Sequence, residues 1–322
     1  MARLCLVALG VIFAFHGFAP AAVGGTLEDT RSAGVVTCGL DPGRAGISLR
    51  AADYSWTGMA PELCRAIAAA VLGNAGRVNL VALPQDEQVL ALQSGEIDVL
   101  FPTSHWAAGA DAADGLMATA AYLFEGISLL EVAGAGEKPG SIDGADVCFV
   151  ADAMAADWYR QKISDRRGKP SEVANIAELK AVMEAGGCPF IAGQHFSLLG
   201  LSGEKSGLQE GFFGVLSYAP LVRQGDDQWF HVVREVTYML MRASETKLTQ
   251  EGARAVEPGS DIAAPLQAAG LGAAWPQAVI QATGNLQEIF DRNFRAGANA
   301  ARPAGLNASW NDGGLWLAPV LP

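Results

Sequence analysis

The chain has few basic residues: 22 Lys and Arg stand against 34 Asp and Glu in 322 residues, a formal net charge of −12. No basic stripe interleaved with aromatics occurs along it, which argues against nucleic acid and anionic membrane surfaces as partners. Between Arg77 and Lys138 there is no Lys or Arg at all. Charged residues are only 17% and apolar ones 50%, with 38 glycines and 15 prolines. That balance excludes wholesale disorder and is ample for two compact cores. Beyond the first 22 residues no apolar run is long enough to span a bilayer. CxxC pairs are also missing, and no histidine lies at ligand spacing from a cysteine. Neither a metal nor a cofactor is therefore expected.

What is present begins with "MARLCLVALGVIFAFHGFAPAA", residues 1–22. One basic residue, Arg3, precedes an apolar run, and small residues follow, which is the pattern of a secretory signal peptide cleaved near Ala21 or Ala22. The alternative is an uncleaved N-terminal anchor. Cys5 lies at the start of the run, a poor place for lipid attachment. With the leader removed, the expected product is an exported protein with no membrane insertion.

Four cysteines then remain, Cys38, Cys64, Cys148 and Cys188. An even number in an exported chain favours disulfides, although four cysteines allow three connectivities. Sequence context favours Cys38–Cys64 and Cys148–Cys188. "GVVTCGL" reads as a strand and "PELCRAIAAAVLG" as the helix after it, while "ADVCFVAD" and "GGCPFIAG" read as a later strand pair.

The pattern along the chain alternates strand and helix. "GVVTCGL", "APELCRAIAAAVLG", "RVNLVAL", "QDEQVLALQSG" and "EIDVLF" read as βαβαβ, the signature of a parallel sheet with helices on its faces. A stretch rich in Gly, Ala and Ser at 131–144 interrupts it, and the pattern restarts with "ADVCFVA", "AADWYRQKISDRRG", "IAELKAVMEAGG" and "CPFIAG". A second α/β lobe is the natural reading. "GVLSYAPLVRQGDDQWF" returns to strand character, "DQWFHVVREVTYMLMRASE" is a strong helix, and one or two more helices precede "GLWLAPV".

The segments "CRAIAAAVLGNAGRVNLVAL", "ALQSGEIDVL", "GDDQWFHVVR", "GNLQEIFDRN" and "GLNASWNDGGLWLAP" resemble the periplasmic amino-acid-binding proteins of ABC importers, solute-binding protein family 3. The general L-amino-acid-binding branch is the nearest in pattern. They run in family order from about residue 34 to 319. The resemblance implies an α/β, bilobed type II periplasmic-binding-protein fold, two doubly wound sheets joined by two crossover strands. It implies lobe 1 at 23–130 plus 221–322, lobe 2 at 131–220, and a ligand enclosed by hinge closure. It also implies an ABC permease as partner, a periplasmic location and a monomer, and it supports the disulfide pairing.

A zwitterionic amino acid in a closed cleft needs a cation for its carboxylate, ideally a bidentate arginine, and a carboxylate for its ammonium. The resemblance places the arginine after a threonine–tryptophan stretch. Here Trp106 matches that tryptophan, Ser104 and His105 replace the threonines, and the arginine position falls on Ala110. A second arginine position falls on Pro102. At the helix start expected to receive the carboxylate, this chain has Asp152, whose charge would repel it. The ammonium-binding aspartate is replaced by Gln194, next to His195, and the aromatic that covers the ligand is replaced by Ile47. The cleft candidates are therefore Ile47, Ser104, His105, Trp106, Asp152, Gln194 and His195, with the family's charge anchors absent at Pro102 and Ala110. His105 and His195 are read as hydrogen-bonding groups, and no residue is assigned a catalytic role.

The leading expectation is a periplasmic solute-binding protein of an amino-acid-type ABC importer with altered specificity, its ligand a small polar or aromatic solute. A second is a periplasmic accessory protein that uses the bilobed fold to bind a partner such as a periplasmic enzyme. A third is a lyase or dehydratase on the same fold.

Overall fold

The computed structural model describes residues 25–102, 113–132, 141–150, 156–201, 207–208, 214–255, 270–295 and 305–319. Helix α1 (Thr26–Ala33) leads into strand β1 (Val36–Leu40), and a short meander follows: β2 (Gly43–Arg44), β3 (Ser48–Arg50) and β4 (Trp56–Thr57). Helix α2 (Met59–Leu72) comes next, stopped by Gly73 in the left-handed region at φ +66°, a conformation that favours glycine. Strand β5 (Val78–Ala82), helix α3 (Gln85–Ser94), strand β6 (Val99–Phe101) and strand β7 (Leu116–Ala118) complete the first unit.

The long strand β8 (Leu123–Glu131) opens the second unit, with β9 (Asp146–Phe149), helix α4 (Ala156–Ser164), β10 (Lys169–Glu172), helix α5 (Ile176–Glu184), β11 (Phe190–Gln194), helix α6 (His195–Leu201) and β12 (Gly207–Leu208). Strands β13 (Val215–Tyr218) and β14 (Leu221–Arg223) carry the chain back. Helices α7 (Asp227–Glu245), α8 (Trp275–Thr283) and α9 (Leu286–Phe294) then pack on the first unit.

Two main sheets result. The first has the order β5-β1-β6-β14-β7, with β5, β1 and β6 parallel and β14 antiparallel to both neighbours. The second has the order β10-β9-β11-β8-β12, with β10, β9 and β11 parallel and β8 antiparallel. β13 pairs antiparallel with β8 from Val215 opposite Gly126 to Tyr218 opposite Leu123. The outgoing and returning chain therefore run side by side between the sheets. Tyr122 N–H donates to Tyr218 C=O at 2.9 Å and Thr119 N–H to Pro220 C=O at 2.9 Å.

Strand alternation sends side chains to both faces of each sheet. In the first sheet, Val99 and Phe101 join the core under α2, α7, α8 and α9, while Leu100 faces the opposite cluster with Ala91 and Leu92 of α3. In the second, Val147, Phe149 and Ala192 pack with Tyr159 and Ile163 of α4, while Cys148 and Ile191 meet Leu179 of α5 and Leu198 of α6. Both expected disulfides are present. Cys38–Cys64 ties β1 to α2, and Cys148–Cys188 ties β9 to the entry of β11, with sequence separations of 26 and 40.

Among the described residues, the C-terminal segment 305–319 adds no strand to either sheet. It lies against the crossover: Trp316, fully buried, donates its Nε1–H to Tyr122 C=O at 3.1 Å. Ala318 N–H reaches Glu245 Oε1 at 2.9 Å on α7.

Candidate functional site

In open α/β sheets, ligands bind beyond the carboxyl ends of the parallel strands. In the first sheet, Leu40 of β1 is level with Phe101 of β6, so the turn at 41–47 and the segment from Pro102 onward leave from neighbouring points. In the second sheet, Phe149 of β9 is level with Ala192 of β11, and β11 runs directly into α6 through Gln194 and His195.

The turn after β1 is held rigidly. Ser48 Oγ–H donates to Asp41 C=O at 2.5 Å, and Ile47 N–H to Arg44 C=O at 3.1 Å. The first N–H groups of α2 close on the same turn, Met59 to Gly46 C=O at 3.0 Å and Ala60 to Ile47 C=O at 2.9 Å. Two of the donors that a helix start leaves without helical partners are thereby satisfied. Gly46 has φ +79°, and a Cβ there would overlap the Phe294 ring. Ile47 is buried in the main core. Pro102, also buried, follows the end of β6.

From this turn Arg44 reaches across to Glu125 of β8. Its Nη2 lies 3.2 Å from Glu125 Oε2, which also accepts the Tyr218 hydroxyl at 2.8 Å. Glu125 Oε1 accepts the N–H of Phe196, at the start of α6, at 3.0 Å. One buried carboxylate thus joins the turn after β1, the returning strand β13 and the first turn of α6. Burial raises the Glu125 carboxyl above its ordinary range, although the Arg44 charge and the Tyr218 and Phe196 hydrogen bonds pull the other way. Burial also raises the Tyr218 hydroxyl well above an ordinary phenol, and the Glu125 charge adds to it. Burial works against the Arg44 charge, but Tyr218, Glu125 and Asp41 outweigh it, and the net direction is upward.

Beside this cluster, His195 Nδ1 is 2.9 Å from Ser128 Oγ, the tautomer deciding which of the two donates. Gln194 ends β11 opposite Ile127 and is partly exposed. The Phe196 ring leaves the second unit and packs on the first, 4.1 Å from the Phe294 ring and 6.1 Å from that of Phe290.

Of the residues singled out from sequence, Gln194 and His195 therefore stand at the strand end that runs into Phe196 and α6. Ile47 sits in the turn after β1 and Pro102 just after β6. Ser104, His105, Trp106, Ala110 and Asp152 lie outside the described residues. Sequence reasoning missed Arg44, Glu125, Tyr218 and Phe196. A signal existed for Glu125, a lone carboxylate inside the apolar run "AAYLFEGISLL", because a charge is seldom buried without a partner. Among the described residues, no group of three or more His, Cys, Asp and Glu could hold a metal ion. Nor is any described helix long and apolar enough to cross a membrane. The arrangement offers hydrogen bonds and one oriented ion pair, which is chemistry for holding a solute.

No protein-family model matches the chain. The putative amino-acid ABC transporter-binding protein YhdW of Escherichia coli K12 is 32% identical over 334 residues, covering 98% of this chain and 97% of that protein. The general L-amino acid-binding periplasmic protein AapJ of Rhizobium johnstonii is 31% identical over 338 residues, covering 98% of each. Among solved structures, an ABC transporter periplasmic binding protein from Brucella ovis with glutathione bound superposes with a TM-score of 0.77 at 28% identity. The match covers 93% of this chain and 100% of that one.

Proposed function

Because this chain belongs to the periplasmic amino-acid-binding proteins of ABC transporters, we propose that it delivers a solute to an importer and holds that solute without the family's usual pair of charge contacts. The observation that carries the family reading is the likeness to YhdW and AapJ over 98% of the chain. The altered specificity is supported by Gln194 at the end of β11, where the resemblance calls for an ammonium-binding carboxylate. It is also supported by the lack of any basic residue between Arg77 and Lys138, the span in which the carboxylate-binding arginine would fall.

In this reading residues 1–22 export the chain to the periplasm. The lobes are 23–130 plus 221–322 and 131–220, and the solute enters between them as the hinge opens. The glutathione in the Brucella structure widens the ligand class from single amino acids to short peptides. Gln194, with an amide that both donates and accepts, suits an amide group better than an ammonium. An ABC permease is the partner that the reading requires.

Calorimetry and thermal-shift measurements against L-amino acids, their amides, N-acyl amino acids, glutathione, polyols and amines test it. A ligand that binds only the folded form raises the melting temperature with concentration. The expected result is stabilisation by at least one amide-containing solute and none by the free α-amino acids. Micromolar binding of ordinary L-amino acids would overturn the altered specificity, and no binder in the panel would overturn the solute-carrying role.

A further inference from the structure

The β3–β4 hairpin carries an aromatic and cationic tip that the solute site does not use. Its strands set Arg50 opposite Trp56. The Arg50 guanidinium carbon lies 4.8 Å from the Tyr54 ring centre and 5.8 Å from that of Trp56, within cation–π reach of both. Arg50 and Tyr54 are exposed, Tyr54 by 72%. Among the described residues no acid pairs with Arg50. Asp53, close to it in sequence, turns its carboxylate to Ser55 instead, accepting the N–H at 3.0 Å and the Oγ–H at 2.6 Å. The turn is closed on itself, with Ala51 N–H donating to Ser55 C=O and Tyr54 N–H to Ala51 C=O, both at 2.9 Å. It holds Tyr54 at φ +66°, in the left-handed region that strains a bulky residue. Glycine or asparagine would suit that position better, so the turn alone does not account for the ring.

The hairpin issues from the same turn whose Arg44 meets Glu125 on the crossover, at the carboxyl ends of the first sheet's parallel strands. That is the side on which such sheets hold their ligands, and a permease receiving the solute has to sit over it. We propose that Arg50, Tyr54 and Trp56 form a docking point for the importer's permease, and that the permease segment seated there presents a carboxylate to Arg50. The inference rests on the importer reading above. Tyr, Trp and Arg are the side chains that most often anchor protein contacts. Two ring faces fix the guanidinium beforehand, so less side-chain entropy is lost when it grips an acid. Charge decides the chemistry of the partner. With 34 acidic against 22 basic residues, the chain repels an acidic loop over much of its surface, and an uncommitted cation at an exposed tip gives that loop a place to seat.

The test is photo-cross-linking in cells that express the chain from its own gene. p-Benzoylphenylalanine replaces Ala52, an exposed residue of the turn, or, as control, Leu90, 68% exposed on α3. The expected product from position 52 joins the chain to the permease at a peptide containing Asp or Glu. Arg50→Glu should weaken that product about tenfold or more, and Arg50→Lys by less. Replacing the partner's acid by lysine should restore it in Arg50→Glu. Tyr54→Asn should also weaken it, while the melting temperature of the purified chain stays level or rises, because asparagine tolerates the left-handed region. A lower melting temperature with the product kept makes the ring structural and overturns the assignment. A product from position 90 alone, a permease peptide without an acid, a product with a second copy or with any other protein, or no product also overturns it. In each of these cases the solute panel above still decides the importer reading by itself. A product with a periplasmic enzyme together with an empty solute panel overturns both.

Discussion

The side chain of Asn307 satisfies both backbone groups of Phe124. Its Oδ1 accepts the Phe124 N–H at 2.8 Å and its Nδ2 donates to the Phe124 C=O at 2.7 Å. Asn307 is buried, and Phe124 immediately precedes Glu125 on the outgoing crossover strand. The C-terminal segment thus adds to that strand through a side chain, in the way a neighbouring strand would through its backbone.

Asn307→Ala should therefore cost more than an ordinary truncation. It leaves the part-buried N–H and C=O of Phe124 without partners, at roughly 1–2 kcal/mol each. Urea denaturation should show a loss of about 2–4 kcal/mol, and a loss below about 1 kcal/mol would count against this role.

Glu125→Gln should change how stability depends on pH. Burial raises the folded carboxyl above the unfolded value of 4.5, so between those two values the folded chain binds a proton that the unfolded chain does not. As pH falls from 7, the native carboxyl therefore becomes more favourable relative to the variant's amide, which does not titrate. The difference should change by at most about 1.4 kcal/mol per pH unit and level off below the unfolded value. Asp98 is also raised, first by burial, but it is common to both chains and cancels. Denaturant titrations of both proteins from pH 7 to pH 4 measure the difference, and a flat or opposite trend contradicts the assignment.

Each disulfide should stabilise its own sheet. Closing loops of 26 and 40 residues removes chain entropy from the unfolded state, worth about 3–4 kcal/mol for each. Replacing either cysteine pair by alanines should lower the free energy of unfolding by about that amount. The two losses should add, because the bridges share no partners and sit in separate cores. A strongly non-additive double replacement would show that the two bridges are energetically coupled.

Much of this fold is legible in the chain, where local pattern and tertiary burial agree. "APELCRAIAAAVLG" carries helical apolar spacing and ends on Gly73, and α2 stops there. "CPFIAG" has the short apolar run of a strand covered on both faces, and β11 is one. Strand β10, "KPSE", has no such pattern. Among the described residues it is an edge strand paired with β9 alone, where proline is tolerated because no inner ladder needs its N–H. The site was less legible. Arg44 and Glu125 are 81 residues apart and meet only because the turn after β1 and the crossover strand converge, which no local spacing encodes. The family resemblance directed attention to positions 102 and 110, and the second of these lies outside the described residues.

The Phe196 ring has a kinetic consequence. It belongs to the second unit, but its aromatic neighbours Phe290 and Phe294 belong to α9 on the first. Parting the two units strips apolar surface from all three rings, and the cost falls on the opening step before any solute arrives. Where opening of the proposed hinge is slower than capture, uptake through that route is a two-step event. Its observed rate therefore reaches a ceiling set by the protein and does not keep rising with solute concentration.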